Sequence, residues 1–184
     1  MRRISVALLC GSLGIATAQV AHWRIGDDAP KFTIHEIDGR LQTLKTLENE
    51  GNFFLYFGKR GDPVDDAMRP YINRMVTTYV PGRAKWYAVT DIKPEAARAW
   101  NAEAQLPYHV LLDQGGVVRR LFQVDNAPTI IEVGVDGKIL NYWMGFSGDG
   151  LKKLNREVAR INRMKVKNMD FTRTPSVTQF GQPW

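Results

Sequence analysis

The sequence predicts an α/β protein built on a sheet of mixed strand direction. Three observations carry that prediction. Short apolar runs at Phe53–Phe57, Ala84–Val89 and Thr129–Val135 alternate with helix-like segments, two of which open on a proline, Pro63 and Pro94. The run Phe53–Phe57 is apolar at every position, the pattern of a central strand covered on both faces. Paired runs around Asp38-Gly39 and Asp136-Gly137 read as hairpins, which place antiparallel neighbours in the same sheet. With 184 residues, 44% hydrophobic and 24% charged, the chain holds one domain with its own core plus extensions.

Taken in chain order, the first segment lies outside that domain. Arg2 and Arg3 precede a mostly apolar stretch from Val6 to Ile15, and Ala16-Thr17-Ala18 supplies small residues for cleavage. Residues 1–18 therefore read as a signal peptide, too short to serve as a permanent membrane span. Leu8-Leu9-Cys10-Gly11 hints at a lipoprotein site, but the bulky Leu9 and the continuing apolar run favour export as a soluble periplasmic or extracellular protein. Cys10 is the single cysteine of the sequence, so on this reading the mature chain has no thiol and forms no disulfide.

The domain is expected to span residues 19–163. Phe32–Ile37 and Leu41–Leu44 read as short strands around a turn, followed by the strand Phe53–Phe57. A helix runs from about Pro63 to Tyr79, with Pro70 inside it as a kink. After the strand Ala84–Val89 come a helix from Pro94 to about Gln105, a short strand His109–Leu112 and a helical turn at Val117–Phe122. The hairpin Thr129–Met144 precedes a last helix, starting after Gly150, on which Leu151, Leu154, Val158 and Ile161 form one stripe. Residues 164–184 lack periodicity and read as a basic tail, extended or disordered, whose Phe171, Phe180 and Trp184 can dock on the domain or on a partner. The formal charge of +6 is unevenly spread: residues 19–150 carry 15 basic and 17 acidic side chains, residues 151–184 carry 8 and 2.

Four landmarks resemble the redoxin branch of the thioredoxin fold, and more narrowly the exported TlpA/ResA-type thiol–disulfide oxidoreductases, relatives of the AhpC/TSA peroxiredoxins. They are Gly26-Asp27-Asp28-Ala29-Pro30-Lys31-Phe32, the turn Asp38-Gly39 with Leu41 and Leu44, Ala127-Pro128-Thr129 with Asp136-Gly137-Lys138-Ile139, and the stretch from Phe57 to Pro70. The resemblance implies a thioredoxin-like three-layer α/β/α sandwich with a mixed central sheet and an N-terminal β-hairpin. In the family the last stretch reads F-W-A-x-W-C-P-P-C-x-x-E-x-P, where this chain reads F-G-K-R-G-D-P-V-D-D-A-M-R-P. Asp62 and Asp65 thus stand at the two cysteine positions, Met68 at the usual acid, and Gly58 and Gly61 where aromatic residues flank the loop. A carboxylate cannot form a reversible sulfur–sulfur bond, so neither disulfide exchange nor a peroxidase reaction is expected of the mature chain, and no cofactor is called for.

The aspartates admit three readings. Asp62 as N-cap, Pro63 at the first helical position and Asp65 in the first turn suit a helix start. Asp62, Asp65 and Asp66 within one turn could instead hold a divalent cation, or the pair Asp62/Asp65 could serve a non-thiol enzyme in acid–base work. His22, His35 and His109 match no zinc spacing, and Glu132 is read as facing solvent or pairing with an arginine rather than as a buried functional group. The resemblance implies a peptide-facing groove in which the backbone of Ala127, beside cis-Pro128, pairs with an extended segment next to Gly61, Asp62 and Pro63. The expectation is a redox-inactive binding or scaffold protein with a protein or peptide partner in the extracytoplasmic space. Nucleic acid is not expected, and the basic face of the last helix is read as solvated rather than membrane-bound.

Overall fold

The computed structural model describes residues 23–184; the signal-peptide reading of residues 1–18, Cys10 and His22 lie outside the described residues. Seven strands and five helices follow in the order β1 (Thr33–Glu36), β2 (Leu41–Thr43), α1 (Leu44–Glu50), β3 (Phe53–Phe57), α2 (Pro63–Thr78), β4 (Lys85–Thr90), α3 (Pro94–Ala104), β5 (His109–Leu112), α4 (Val117–Leu121), β6 (Thr129–Val133), β7 (Ile139–Met144) and α5 (Gly148–Ile161). The strands form one sheet in the order β2-β1-β5-β4-β3-β6-β7. The pairs β3/β4 and β4/β5 are parallel, and the others are antiparallel.

Both faces of the sheet are covered, as the apolar composition of β3 requires. Its residues alternate between two cores. Phe53, Leu55 and Phe57 pack with Leu47 of α1 and with Val118 and Phe122 at α4. Phe54 and Tyr56 pack with Met68, Ile72 and Met75 of α2 and with Leu154 and Val158 of α5. This is the three-layer α/β/α sandwich with an N-terminal hairpin, here β1–β2, and it places the start of α2 at the end of the most buried strand.

Two elements depart from the sequence reading. Leu44 ends no strand; it opens α1, whose N-cap Thr43 exchanges hydrogen bonds with Thr46: the Thr46 amide donates to Thr43 Oγ1 at 3.1 Å and the Thr43 amide to Thr46 Oγ1 at 2.8 Å. Helix α5 starts at Gly148 rather than after Gly150, capped by Ser147, whose Oγ accepts from the Gly150 amide at 3.2 Å.

Residues 164–184 contain no helix or strand, yet they run extended across the domain and are fastened to it at intervals. Near α5, the Lys167 amide donates to the Tyr79 hydroxyl at 2.9 Å while that hydroxyl donates to Asn155 Oδ1 at 2.7 Å. Asn155 Nδ2 in turn donates to the Lys167 carbonyl at 2.9 Å. Phe171 lies 6.2 Å from Tyr71, ring centre to ring centre. The segment docks on its own domain. Tyr79→Phe is expected to take the acceptor from the Lys167 N–H and the donor from the buried Asn155 Oδ1, costing about 1–3 kcal/mol; an unchanged melting temperature would show that this anchor contributes nothing.

Candidate functional site

The end of β3 turns through Gly58-Lys59-Arg60-Gly61 into α2, and three features fix that turn. Gly61 has φ +82°, a left-handed conformation that suits glycine, and its α-carbon faces open space. Asp62 is the N-cap of α2: its Oδ1 accepts from the amides of Val64 and Asp65, each at 2.9 Å. Pro63 occupies the first helical position, where its missing N–H leaves no bond unmade.

The three aspartates differ in burial and in what holds them. Asp62 is buried and committed to the cap; its second oxygen accepts from the Gln182 amide at 2.6 Å. Asp65 is fully buried, its Oδ1 accepting from the Tyr56 hydroxyl at 2.6 Å and its Oδ2 from Arg69 at 3.2 Å. Asp66 lies outside that core and pairs with the same arginine. Burial raises the Asp65 pKa to about 6, against the opposing pull of the Tyr56 hydroxyl and Arg69, and the same burial with the Asp65 charge nearby pushes the Tyr56 hydroxyl well up. Each carboxylate is already engaged by the protein, and among the described residues no group of three or more His, Cys, Asp or Glu is arranged to hold a metal. The cation-site reading of Asp62, Asp65 and Asp66 is therefore corrected: Asp65 and Asp66 converge on Arg69, which already supplies their counter-charge, and Asp62 is committed to backbone amides. The Asp62/Asp65 acid–base pair is corrected for the same reason: one carboxylate caps a helix and the other is sealed in the core.

Gly58, which stands where the family has an aromatic residue, has little free space beside it. A Cβ there would stand 3.2 Å from Asp65 Oδ1 and 3.3 Å from the Tyr56 ring, so its glycine admits the buried carboxylate, not a ligand. Of the two expectations for Glu132, pairing with an arginine describes it and facing solvent does not: it is fully buried in β6. Asn141 Nδ2 donates to its Oε2 at 2.8 Å, the exposed Arg160 lies 3.6 Å from Oε1, and burial raises its pKa to about 7. His109 Nδ1 meets Glu36 Oε1 at 2.5 Å, and His35 Nδ1 lies 3.4 Å from the Gly39 carbonyl, so neither faces this turn.

Opposite the start of α2 lies the loop before β6, with a cis peptide between Ala127 and Pro128. Between the two runs the segment after α5. Phe146 and Gln179 exchange backbone hydrogen bonds at 2.8 and 2.9 Å. The Gly181 amide donates to the Ala127 carbonyl at 2.8 Å, and the Trp184 amide to the Asp125 carbonyl at 3.1 Å. Pro183 and Asn126 form an antiparallel bridge. Sequence reasoning named Asp62, Ala127 and Pro128, which the structure does bring together with Gly61 and Pro63 at one edge. It missed Lys59, Arg119, Gly181 and Gln182. Lys59 Nζ donates to the Pro183 carbonyl at 2.9 Å. Arg119 is set by Asp113, whose carboxylate accepts the Val118 and Arg119 amides at 2.9 and 2.8 Å. The only sequence signal for this arrangement is the aromatic character of Phe180 and Trp184 in an otherwise polar tail.

A sheet of this order with a helix N-terminus facing a cis-proline loop defines a thioredoxin-like protein. Residues 25–142 match the AhpC/TSA family, and the chain belongs to it. Among curated relatives, the thiol-disulfide oxidoreductase ResA of Bacillus cereus is 26% identical over 150 residues, covering 78% of this chain and 86% of that protein. Among solved structures, the thioredoxin domain of a thiol-disulfide oxidoreductase from Bacteroides vulgatus superposes with a TM-score of 0.62 at 20% identity, covering 74% of this chain and 99% of that one. A secreted disulfide oxidoreductase of Mycobacterium tuberculosis gives 0.57 at 18%, covering 70% and 95%. These two show the fold. Against that background the described residues contain no cysteine.

Proposed function

We propose that this protein is an exported, redox-inactive member of the family that binds an extended peptide segment in the groove between the start of α2 and the Ala127-Pro128 loop. One observation carries the reading: the Ala127 carbonyl accepts a backbone hydrogen bond from an extended segment at 2.8 Å, so the groove is built to pair with a strand. Backbone pairing needs no thiol. Asp62 contributes a second acceptor for the bound backbone where a reactive sulfur would otherwise stand, which turns a reacting position into a holding one. Export is supported by the leader-like residues 1–18 and by the printed description of the M. tuberculosis neighbour as secreted.

Two measurements test this. Purified protein lacking residues 1–18 is expected to show no insulin reduction above the dithiothreitol control; clear turnover would overturn the redox-inactive reading. Titration of isotope-labelled protein with extended peptides into the millimolar range, enough to compete with the segment that already pairs with Ala127, is expected to move the amide signals of Gly61, Asp62, Asn126 and Ala127. Shifts confined to another face, or none at all, would remove the groove from the proposal.

A further inference from the structure

Resting on that peptide-binding reading, we propose that the groove selects segments of the pattern Gly-x-Pro-Trp, that Gly181–Trp184 is its resident ligand, and that an external partner carries the same pattern and competes with it. Each position of the pattern has its own cause. Gly181 does not adopt the left-handed backbone that favours glycine, so a turn does not explain it. Clearance does: a Cβ at 181 would stand 2.6 Å from the Ala127 carbonyl oxygen and collide with the Asp62 carboxylate. Any other residue there breaks the approach on which the 2.8 Å bond from the Gly181 amide depends.

Position 182 is read through its backbone alone, by Asp62 Oδ2, while its side chain is exposed; this is the unrestricted position. Position 183 offers only its carbonyl, to Lys59 Nζ at 2.9 Å. The groove asks for no N–H there, so proline fits and keeps the segment extended. Trp184 is held three ways. Its amide donates to the Asp125 carbonyl, and its ring packs on the core shared with Phe122. Two cations lie against the ring, Lys59 Nζ at 5.8 Å and the Arg119 guanidinium at 5.4 Å from its centre. An aromatic side chain between two cations is recognised by charge as well as by shape, which a leucine would not match.

The receiving surface is cleared for the same path. A Cβ on Gly145 would stand 2.5 Å from the Gln179 carbonyl oxygen, and one on Gly148 would collide with Thr174 Oγ1. Gly145, whose φ of +74° also favours glycine, and Gly148 thus clear the path of the stretch that leads to the seat, while Gly181 clears the seat itself.

The test uses the full chain and a fluorescein-labelled peptide, Thr-Gln-Phe-Gly-Gln-Pro-Trp. Gly181→Val should eject the resident segment and bind the free peptide at least about tenfold tighter than wild type does. Peptides with valine for the glycine, or alanine for the tryptophan, should each bind about tenfold more weakly or worse. Trp184→Ala, which removes only the aromatic anchor, is the second opened variant, and melting curves report whether each variant is folded. Equal binding of the valine peptide would overturn the selectivity and leave the groove reading standing. No binding of any extended peptide to either variant, with fast amide exchange at 181 and 182 showing the segment released, would overturn both. Fast exchange at those amides in wild type would overturn the resident-ligand assignment alone.

Discussion

Asp62→Ala is expected to lower stability by about 2–4 kcal/mol, the combined cost of a lost helix cap and of buried amides left without an acceptor. Its two oxygens serve three N–H groups: Val64 and Asp65 in the first turn of α2, and Gln182 in the docked segment. Asp62→Asn separates these roles. The asparagine oxygen still caps the helix, but the amide nitrogen opposite Gln182 is a donor facing a donor. Its melting temperature should therefore fall much less than that of the alanine variant, while amide exchange at 182 accelerates in both. Equal destabilisation by both variants would mean that the bond to Gln182, not the cap, carries the energy.

Stability should also fall as pH rises from about 4.5 to about 7.5. Glu132 and Asp65 are both buried carboxylates whose folded-state pKa lies above the unfolded value, at about 7 and about 6 respectively. Between the unfolded and folded values the folded state holds more protons, so raising pH through that window favours unfolding. Below the window both states are protonated; above it both are ionised and the full cost is present. Each group contributes on the order of 2–3 kcal/mol across the window. Asp38, held low mainly by the Arg40 amide, and Asp170, held low mainly by the Thr172 hydroxyl, titrate below this range and do not mask it. Glu132→Gln keeps an oxygen for Asn141 and removes the charge. Its melting temperature should exceed wild type at pH 8 and converge with it near pH 4.5. A variant that tracks wild type throughout would show that Glu132 does not drive the profile.

The central sheet was legible because its physics is local. Five consecutive apolar residues in β3 leave no solvent face, and Asp136-Gly137 sits where the β6–β7 hairpin needs it. The start of α2 was legible for the same reason, since Asp62 caps what Pro63 begins. Helix α1 was missed because it is seven residues long and its capping pair is Thr43 with Thr46, not the usual acidic partner. The docked segment was illegible for another reason. Many of its bonds join residues far apart in the chain, as Gly181 to Ala127 and Gln182 to Asp62, and no periodicity records them. Glu132 was legible only in its pairing with an arginine; its burial comes from α5, which packs on β6 through Ile130 and brings Arg160, a long-range contact that no local pattern records.

The exchange of hydrogen bonds between Phe146 and Gln179 lies only two residues before Gly181. If Gly181–Trp184 lifts away while that exchange persists, the freed segment stays tethered within reach of its seat, at an effective concentration on the order of millimolar. A free peptide of equal intrinsic affinity would then half-displace it only near that same concentration. Dilute ligand passes unnoticed, and a partner displaces the segment only when it is itself delivered at high local concentration, by a second contact or by attachment to the same surface.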